Sequence, residues 1–210
     1  MKIYQLKISL LDVKPPVWVR LNVPAECSFA TLHKTIIALS NWAGYHMYDF
    51  KFKKSNVEIK LPDESQAPDP MDWIKFKAEH GDAQAIEVLK TYAPPIIKRP
   101  TVKLFEFFEK DANCLYTYDY GDNWECGVVM EKCFEGDGSA ITVVKHSGKW
   151  PPEDCGGPGG YIGMLRALEE GKGEEYENIV NWLSDMKYED FDIETANKKL
   201  SKLFSKFIKS

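Results

Sequence analysis

The first 61 residues show a change of hydrophobic period that predicts strands on both sides of one helix. Apolar side chains occupy every second position of residues 4–10 and again of residues 17–23, the period of a half-buried strand. Ser28 is a suitable N-cap for a helix whose apolar residues are spaced by three and four. Two more strands are predicted at Tyr48–Phe52 and Asn56–Leu61. The resulting β-β-α-β-β order is typical of a sheet with one helix packed across it, as in β-grasp folds.

The rest of the chain continues the mixed pattern. Residues 62–100 predict a loop, two short helices and a proline-rich connector. Residues 101–160 predict a second hairpin, a further strand and a glycine-rich loop, and residues 161–210 show the apolar spacing of helices. No shift in composition requires two independent parts. We therefore predict an α+β fold and a single domain over residues 1–210, in which the second hairpin extends or covers the first sheet.

Charge is distributed unevenly along the chain, and this argues against a nucleic-acid partner. The formal net charge is -5, but residues 111–197 hold 6 basic against 19 acidic side chains. Affinity for a phosphate backbone comes largely from cationic side chains, so the acidic block would repel DNA and RNA.

Cysteine usage and hydropathy place the protein in the cytoplasm. The five cysteines never form a Cys-x-x-Cys pair, so the sequence signals neither a disulfide framework nor a zinc knuckle. No apolar run approaches the roughly 18 residues of a membrane helix, and the N-terminus lacks the apolar stretch of a signal peptide. We therefore expect reduced thiols and no membrane partner.

Four carboxylates in two short loops are the residues with the most evident chemistry. Asp119 and Asp122 lie at the tip of the second hairpin, and Glu153 and Asp154 lie in a Pro-Pro-Glu-Asp loop. Clustered carboxylates bind hard cations or divide acid and base roles. The alternative is structural, because short acidic side chains also bond turn amides and cap helices. We expect the two loops to meet in space and to border the main pocket.

Other candidate site residues surround these carboxylates. His46 is accompanied by Asp49, and Trp124 offers an aromatic wall beside the hairpin tip. Gly156 and Gly157 suit a tight turn that needs positive φ, or alternatively present amides to an anion at a helix N-terminus. A final pair, Trp18 and Arg20, projects from the face opposite the apolar residues of its strand, either as a ligand surface or as packing.

Three sequence segments together resemble the plasmid pRiA4b ORF-3-like family. They are Pro16–Arg20, Tyr118–Trp124 and Pro151–Gly157, and Leu32-His33 and His46–Phe50 match as well. The resemblance spans roughly residues 4–185. It implies an association with plasmids and mobile elements, and for some members a resolvase-like label, but it implies no assigned activity. Members often carry a cysteine shortly before the Pro-Pro-Glu-Asp motif, whereas this chain has His146–Trp150 there.

These features favour a non-enzymatic cytosolic binding or accessory module associated with plasmid or mobile-element genes. No nucleophile and base pair, cofactor fingerprint or metal-binding motif is present in the sequence, so no cofactor or metal is assigned and the partner is an unidentified protein or small molecule. The alternative is a divalent-metal-dependent enzyme that uses the clustered carboxylates. A DNA recombination factor is less well supported, because the chain has only three arginines, Arg20, Arg99 and Arg166, widely spaced.

Overall fold

A computed structural model of the protein describes residues 1–62, 70–138, 140–186 and 188–204. The parts of the predicted connector loop and C-terminal helices that fall on residues 63–69, 187 and 205–210 lie outside the described residues. The strands are β1 Lys2–Leu10, β2 Trp18–Pro24, β3 Tyr48–Phe52, β4 Val57–Lys60, β5 Ile96–Lys98, β6 Asn113–Tyr118, β7 Trp124–Glu135 and β8 Thr142–Ser147. The helices are α1 Phe29–Ser40, α2 Pro70–Glu79, α3 Ala83–Thr91, α4 Phe105–Phe108, α5 Gly157–Glu170, α6 Glu174–Asp185 and α7 Ile193–Phe204.

The predicted α+β class and the β-β-α-β-β start are confirmed, and the strands join in one sheet. Its order is β5-β4-β3-β6-β7-β1-β2-β8, with every pair antiparallel except β4 and β5. The second hairpin, formed by β6 and β7, extends the sheet by inserting into its middle, between β3 and β1. The start of β3 therefore lies beside the end of β6, and this arrangement positions the candidate site.

Helix α1 covers one face of the sheet through its apolar side. Its N-cap is Ser28, whose hydroxyl oxygen accepts a hydrogen bond of 3.1 Å from the backbone N–H of Thr31. Phe29 begins the helix and is fully buried, with its ring centroid 5.1 Å from that of Phe50 and 5.7 Å from that of Phe107. Edge-to-face aromatic packing of this kind stabilises a core beyond simple area burial.

A second group of rings connects the end of α1 to the later half of the chain. Trp42 stacks on Tyr118 with ring centroids 4.9 Å apart and lies 5.8 Å from the ring of Trp124. Its indole N–H donates a 3.0 Å hydrogen bond to the carbonyl oxygen of Pro151. Trp42 therefore holds the loop after α1 against the loop before α5.

The structure differs from the sequence prediction in the proline-rich connector. Residues 94–100 contain strand β5, which pairs in parallel with β4 through Val57 and Ile96 and through Ile59 and Lys98. Proline has no N–H to donate to a sheet, so the prolines of this segment predict a connector and not a strand. Between the prolines, three residues can still pair with the outer edge of β4.

Membrane-spanning character is absent from the helices that the structure describes. Within residues 1–62, 70–138, 140–186 and 188–204, no helix combines the length and the apolar character that a membrane crossing requires.

Candidate functional site

Three loops that are distant in sequence bring one histidine and three carboxylates together. His46 comes from the loop before β3, Asp119 follows the end of β6, and Glu153 and Asp154 precede α5. One potential ligand atom from each residue lies within 4.8 Å of the others. We call these four residues the His46 cluster.

The two acidic loops meet, as expected from the sequence. The backbone N–H of Gly156 donates a 3.2 Å hydrogen bond to Oδ2 of Asp122. Gly157 has φ +67°, and a Cβ at this position would overlap the backbone carbonyl of Asp122. The close approach of the two loops therefore depends on the absence of a side chain at Gly157.

His46 directs one ring nitrogen into the carboxylates without hydrogen bonding to them. Its Nε2 lies 3.4 Å from Oδ2 of Asp119, 3.7 Å from Oε1 of Glu153 and 3.4 Å from Oδ1 of Asp154. A charge-assisted N–H···O bond is shorter, at about 2.7–2.9 Å. The Nε2 atom is buried and has no hydrogen-bond partner among the described residues. The ring nitrogen is thus surrounded by acceptors but is not bonded to any of them.

Glu153 is a carboxylate of the cluster that accepts hydrogen bonds at both of its oxygens. One of its oxygens accepts a hydrogen bond from the backbone N–H of Ala43, and the other accepts a 3.2 Å bond from the hydroxyl of Tyr118. Burial raises the pKa of Glu153, the neighbouring charge of Asp154 adds to this, and the two hydrogen bonds oppose it. Burial, followed by the charge of Glu153, raises the pKa of Tyr118 to about 12, so the phenol acts as a donor at neutral pH.

Backbone conformation aims the two aspartates of the His46 cluster. Asp119 and Asp154 have φ of 56° and 55°, in the left-handed region that Asp tolerates better than most residues. The Asp119 carboxylate uses Oδ1 to accept a 2.9 Å bond from the Gly121 N–H, so Oδ2 faces His46. Asp154 accepts a 2.7 Å bond from the hydroxyl of Tyr45, and this bond raises the pKa of Tyr45 to about 12.

The three distances from His46 Nε2 to the carboxylate oxygens match the ligand spacing around a small divalent cation. In a tetrahedral zinc site with bonds of about 2.1 Å, two ligand atoms are about 3.4 Å apart. The distances from His46 Nε2 to Asp119 and Asp154 have this value, and the distance to Glu153 is 0.3 Å longer. The side chain of Asp154 is 61% exposed whereas that of Glu153 is 8% exposed, so the cluster is walled on one side and open on the other.

The other predicted carboxylates lie close to the cluster but make different contacts. Asp122 bonds the N–H of Gly156, which is the structural alternative considered for it. Asp49 is buried on β3, where its Oδ2 accepts a 2.9 Å bond from the hydroxyl of Tyr120 and lies 3.3 Å from Nζ of Lys51. Asp49, which the sequence analysis considers together with His46, is therefore not part of the His46 cluster.

The predicted aromatic and basic residues are placed in the core and on the sheet. Trp124 is 1% exposed and packs in the core. Trp18 lies on β2 between two cations, with Lys7 Nζ and Arg20 Cζ each 5.1 Å from its ring centroid. The Arg20 guanidinium makes a 2.8 Å bond to Glu131. These contacts show Trp18 and Arg20 packed with their neighbours on the sheet face.

The expectation that the acidic loops border the main pocket was wrong. A cavity of about 750 Å³ lies between α1 and α7, and its lining includes Ala43 and Gly44 but no residue of either acidic loop. Tyr118, whose hydroxyl bonds Glu153, stacks on the buried ring of Trp42. The cluster and the cavity meet at Ala43 and Gly44, whose backbone N–H groups bond Glu153 and Tyr118.

Three contributors to the cluster are missed in the sequence. The backbone N–H of Ala43 and the hydroxyls of Tyr45 and Tyr118 each bond one of its carboxylates. Tyr45 adjoins His46 and could have been found by that adjacency. The role of Ala43 has no signal in its side chain, because only its main chain takes part.

Comparison with known proteins identifies relatives over nearly the full length. The family model described as "Plasmid pRiA4b ORF-3-like protein" matches residues 2–199. A relative is "Uncharacterized protein y4hQ" of Sinorhizobium fredii (strain NBRC 101917 / NGR234), 28% identical over 196 residues that cover 93% of this chain and 86% of y4hQ. A similar solved structure is that of MM3350, a protein of unknown function from Methanosarcina mazei Go1, with TM-score 0.70, 29% identity and coverage of 92% of this chain and 97% of MM3350.

Proposed function

We propose that this chain, which belongs to the plasmid pRiA4b ORF-3-like family, is a binding module for a divalent transition-metal ion held by the His46 cluster. The observation that carries the proposal is the position of His46 Nε2, which is buried, has no hydrogen-bond partner among the described residues and lies 3.4–3.7 Å from three carboxylate oxygens. An imidazole with its proton on Nδ1 would present the lone pair of Nε2 to three anions. A cation bound between the imidazole nitrogen and the carboxylates would accept that lone pair and compensate the negative charge.

The donor set favours some metals over others. Imidazole nitrogen suits zinc, iron, nickel and copper, whereas magnesium and calcium prefer oxygen ligands alone. Three carboxylates beside one imidazole also suit manganese. We therefore expect Zn²⁺ and Mn²⁺ to bind and Mg²⁺ to bind much more weakly. The three carboxylate charges exceed the two charges of the ion, so the neighbouring tyrosine hydroxyls of Tyr45 and Tyr118 help to disperse the excess.

A purely electrostatic role for His46 fits the distances less well. An imidazolium among three carboxylates would form at least one short charge-assisted hydrogen bond, because such bonds are about 2.7–2.9 Å long. The shortest distance from its Nε2 to a carboxylate oxygen of the cluster is 3.4 Å. This length corresponds to the edge of a coordination polyhedron, as calculated above.

Calorimetric titration of the metal-free protein with Zn²⁺, Mn²⁺ and Mg²⁺ tests the proposal. We expect one saturable site for Zn²⁺ or Mn²⁺ and a rise in the midpoint of thermal unfolding, since an ion at 100 times its Kd stabilises the folded state by about 2.7 kcal/mol. His46→Gln and Asp119→Asn should lose both effects. Absence of saturable binding for both ions would overturn the proposal.

Asp122→Asn is the matched control for these variants. It removes the same charge from the same hairpin tip, but its carboxylate bonds the N–H of Gly156 and is not part of the His46 cluster. We expect its metal affinity to stay within about threefold of the unsubstituted protein, because a solvent-screened charge that does not ligate the ion contributes only a fraction of a kcal/mol and the amide oxygen can still accept the bond from Gly156. Equal losses in Asp122→Asn and Asp119→Asn would indicate nonspecific attraction to an acidic loop instead of coordination.

A metal-dependent hydrolytic enzyme is the second candidate. The observation that favours it is the exposure of Asp154, which leaves one side of the cluster open to solvent and so to a metal-bound water. Catalytic zinc sites keep such an open position, and the ion lowers the pKa of the water to about 7. Hydrolysis of p-nitrophenyl acetate or bis(p-nitrophenyl) phosphate that requires added metal and is lost in Glu153→Gln would favour this candidate over a binding module.

The cellular setting is also a proposal. A link to plasmid or mobile-element genes is supported by the family description, which names a plasmid open reading frame, and a cytoplasmic location is the expectation from the sequence. Cell fractionation of the untagged protein, together with measurement of plasmid maintenance after its deletion, tests both parts. Recovery of the protein outside the cytoplasmic fraction would contradict the first.

A further inference from the structure

The cavity between α1 and α7 has no role in the metal-binding proposal. Its volume is about 750 Å³, within the range of about 300–1,000 Å³ that is typical of small-molecule sites. One wall is formed by α1 and the loop that follows it, and the other by the C-terminal part of α7. We call this space the α1–α7 groove.

The charged residues of the α1–α7 groove are all basic. Lys34 projects from α1, and Lys199 and Lys202 project from α7, so cations occupy both walls. None of the ten described lining residues is acidic, although the protein as a whole has a formal net charge of -5. A concave site with one sign of charge concentrates ligands of the opposite sign. The groove therefore favours an anion.

The remaining lining of the groove is mainly apolar. Ile37 and Ala38 contribute apolar surface on the α1 side, and Leu203 does so on the α7 side. Leu203 lines this cavity and is 43% exposed to solvent. A bare inorganic anion would leave this apolar surface in contact with water, whereas an apolar body would cover it. Charge and hydropathy together thus point to a ligand with one anionic end and an apolar remainder.

A buried histidine adds one polar group to the groove. His33 lines the cavity and is 8% exposed, with its Nδ1 2.9 Å from the hydroxyl of Tyr116 and its ring stacked on Tyr48 at 3.5 Å. Burial lowers the pKa of His33 to about 4, so the ring is neutral at pH 7. Because Tyr116 occupies Nδ1, Nε2 is the ring nitrogen left for a ligand, and it suits a hydroxyl or carbonyl group on the ligand.

We propose that the α1–α7 groove binds a small amphiphilic anion, with a carboxylate or sulfonate group at Lys34 and Lys199 and an apolar body over Ile37 and Leu203. The proposal is independent of the metal site. The two sites share only the wall at Ala43 and Gly44.

Fluorescence titration with 1-anilinonaphthalene-8-sulfonate tests this groove, with EDTA present so that the metal site plays no part. N-phenyl-1-naphthylamine is the matched neutral probe, because it has the same rings without the sulfonate. We expect one saturable site for the sulfonate and affinity at least about tenfold weaker for the neutral probe. Lys34→Gln and Lys199→Gln should each weaken sulfonate binding by up to about fivefold, the effect of losing a largely exposed charge contact.

Lys198→Gln provides the control on the same helix. Lys198 lies next to Lys199 in sequence, but it pairs with Glu194 and is not among the groove residues. We expect this substitution to leave the affinity for the sulfonate unchanged within about twofold. Equal affinity for the two probes, or equal affinity in Lys34→Gln, Lys199→Gln and Lys198→Gln, would overturn the proposal. Because EDTA removes metal throughout, neither result bears on the His46 cluster.

Discussion

Replacement of Gly157 by alanine should separate the two loops that build the candidate site. Gly157 begins α5 with φ +67°, and a Cβ there would overlap the backbone carbonyl of Asp122 and lie 3.3 Å from its carbonyl carbon. The obstacle is main chain, so no side-chain rotation can relieve it. Either the hairpin tip or the start of α5 must move.

The expected loss of stability follows from two contributions. A non-glycine residue in the left-handed region costs about 1–2 kcal/mol. Displacement of the loops also breaks the hydrogen bond between the Gly156 N–H and Asp122, a net loss of about 0.5–1.5 kcal/mol. We therefore expect Gly157→Ala to lower the free energy of unfolding by about 2–3 kcal/mol. Zn²⁺ affinity should fall as well, because Glu153 and Asp154 precede the displaced segment.

Gly163→Ala is the matched control, and urea denaturation is the measurement. Gly163 lies inside α5, and no atom lies within 4 Å of where its Cβ would be. Alanine is favoured over glycine in a helix interior by about 0.5–1 kcal/mol, so this variant should be more stable than the unsubstituted protein. The reasoning is refuted if Gly157→Ala unfolds at the same urea concentration as Gly163→Ala.

Three further predictions concern titration and packing. Burial lowers the pKa of His33 to about 4 in the folded state, whereas its pKa in the unfolded state is about 6.5. The unfolded state therefore binds the proton more readily below about pH 6.5, and the free energy of unfolding decreases as the pH falls. His33→Gln should remove about 2 kcal/mol of the stability difference between pH 7.5 and pH 5 in urea melts. The raised pKa of Glu153 means that the folded state holds its proton more readily, so this carboxylate lowers stability as pH rises above about 4.5. Glu153→Gln should therefore leave the metal-free protein as stable at pH 7.5, or up to about 1 kcal/mol more stable. The same variant should show no metal binding in calorimetry. Phe29→Ala should reduce the free energy of unfolding by about 3–5 kcal/mol in urea melts, because the ring is fully buried, whereas Phe76→Ala, at a residue that is 48% exposed, should change it by less than about 1 kcal/mol.

The order of strands and helices was largely readable from the sequence because each element has a local signal. The alternation in residues 4–10 and 17–23 is strong, and the structure buries the predicted apolar set while leaving Trp18 and Arg20 on the other face. Strand β5 was missed because three residues between prolines have no period to detect. The insertion of β6 and β7 between β3 and β1 was not predictable, since strand order depends on long-range packing and not on local pattern.

The identity of the candidate site residues was predictable, but their grouping was not. His46, Asp119 and Glu153 are separated by 73 and 34 residues, so no short motif signals a shared metal site. Local metal motifs are visible because one helix or turn presents several ligands at a regular spacing. Here three loops supply them, and the sheet order that places the end of β6 beside the start of β3 brings the loops together.

Asp119 and Asp122 show why a hairpin tip alone could not reveal which carboxylate has which role. Both are acidic residues of one turn, and both were given the same two interpretations. At Asp119, φ of 56° and the bond from Gly121 to Oδ1 leave Oδ2 directed at His46. Asp122 instead meets the N–H of Gly156, which is available only because the glycines before α5 let that backbone approach. The division of roles therefore depends on the neighbouring loop, which holds Glu153 and Asp154 of the His46 cluster as well as the Gly156 N–H that bonds Asp122.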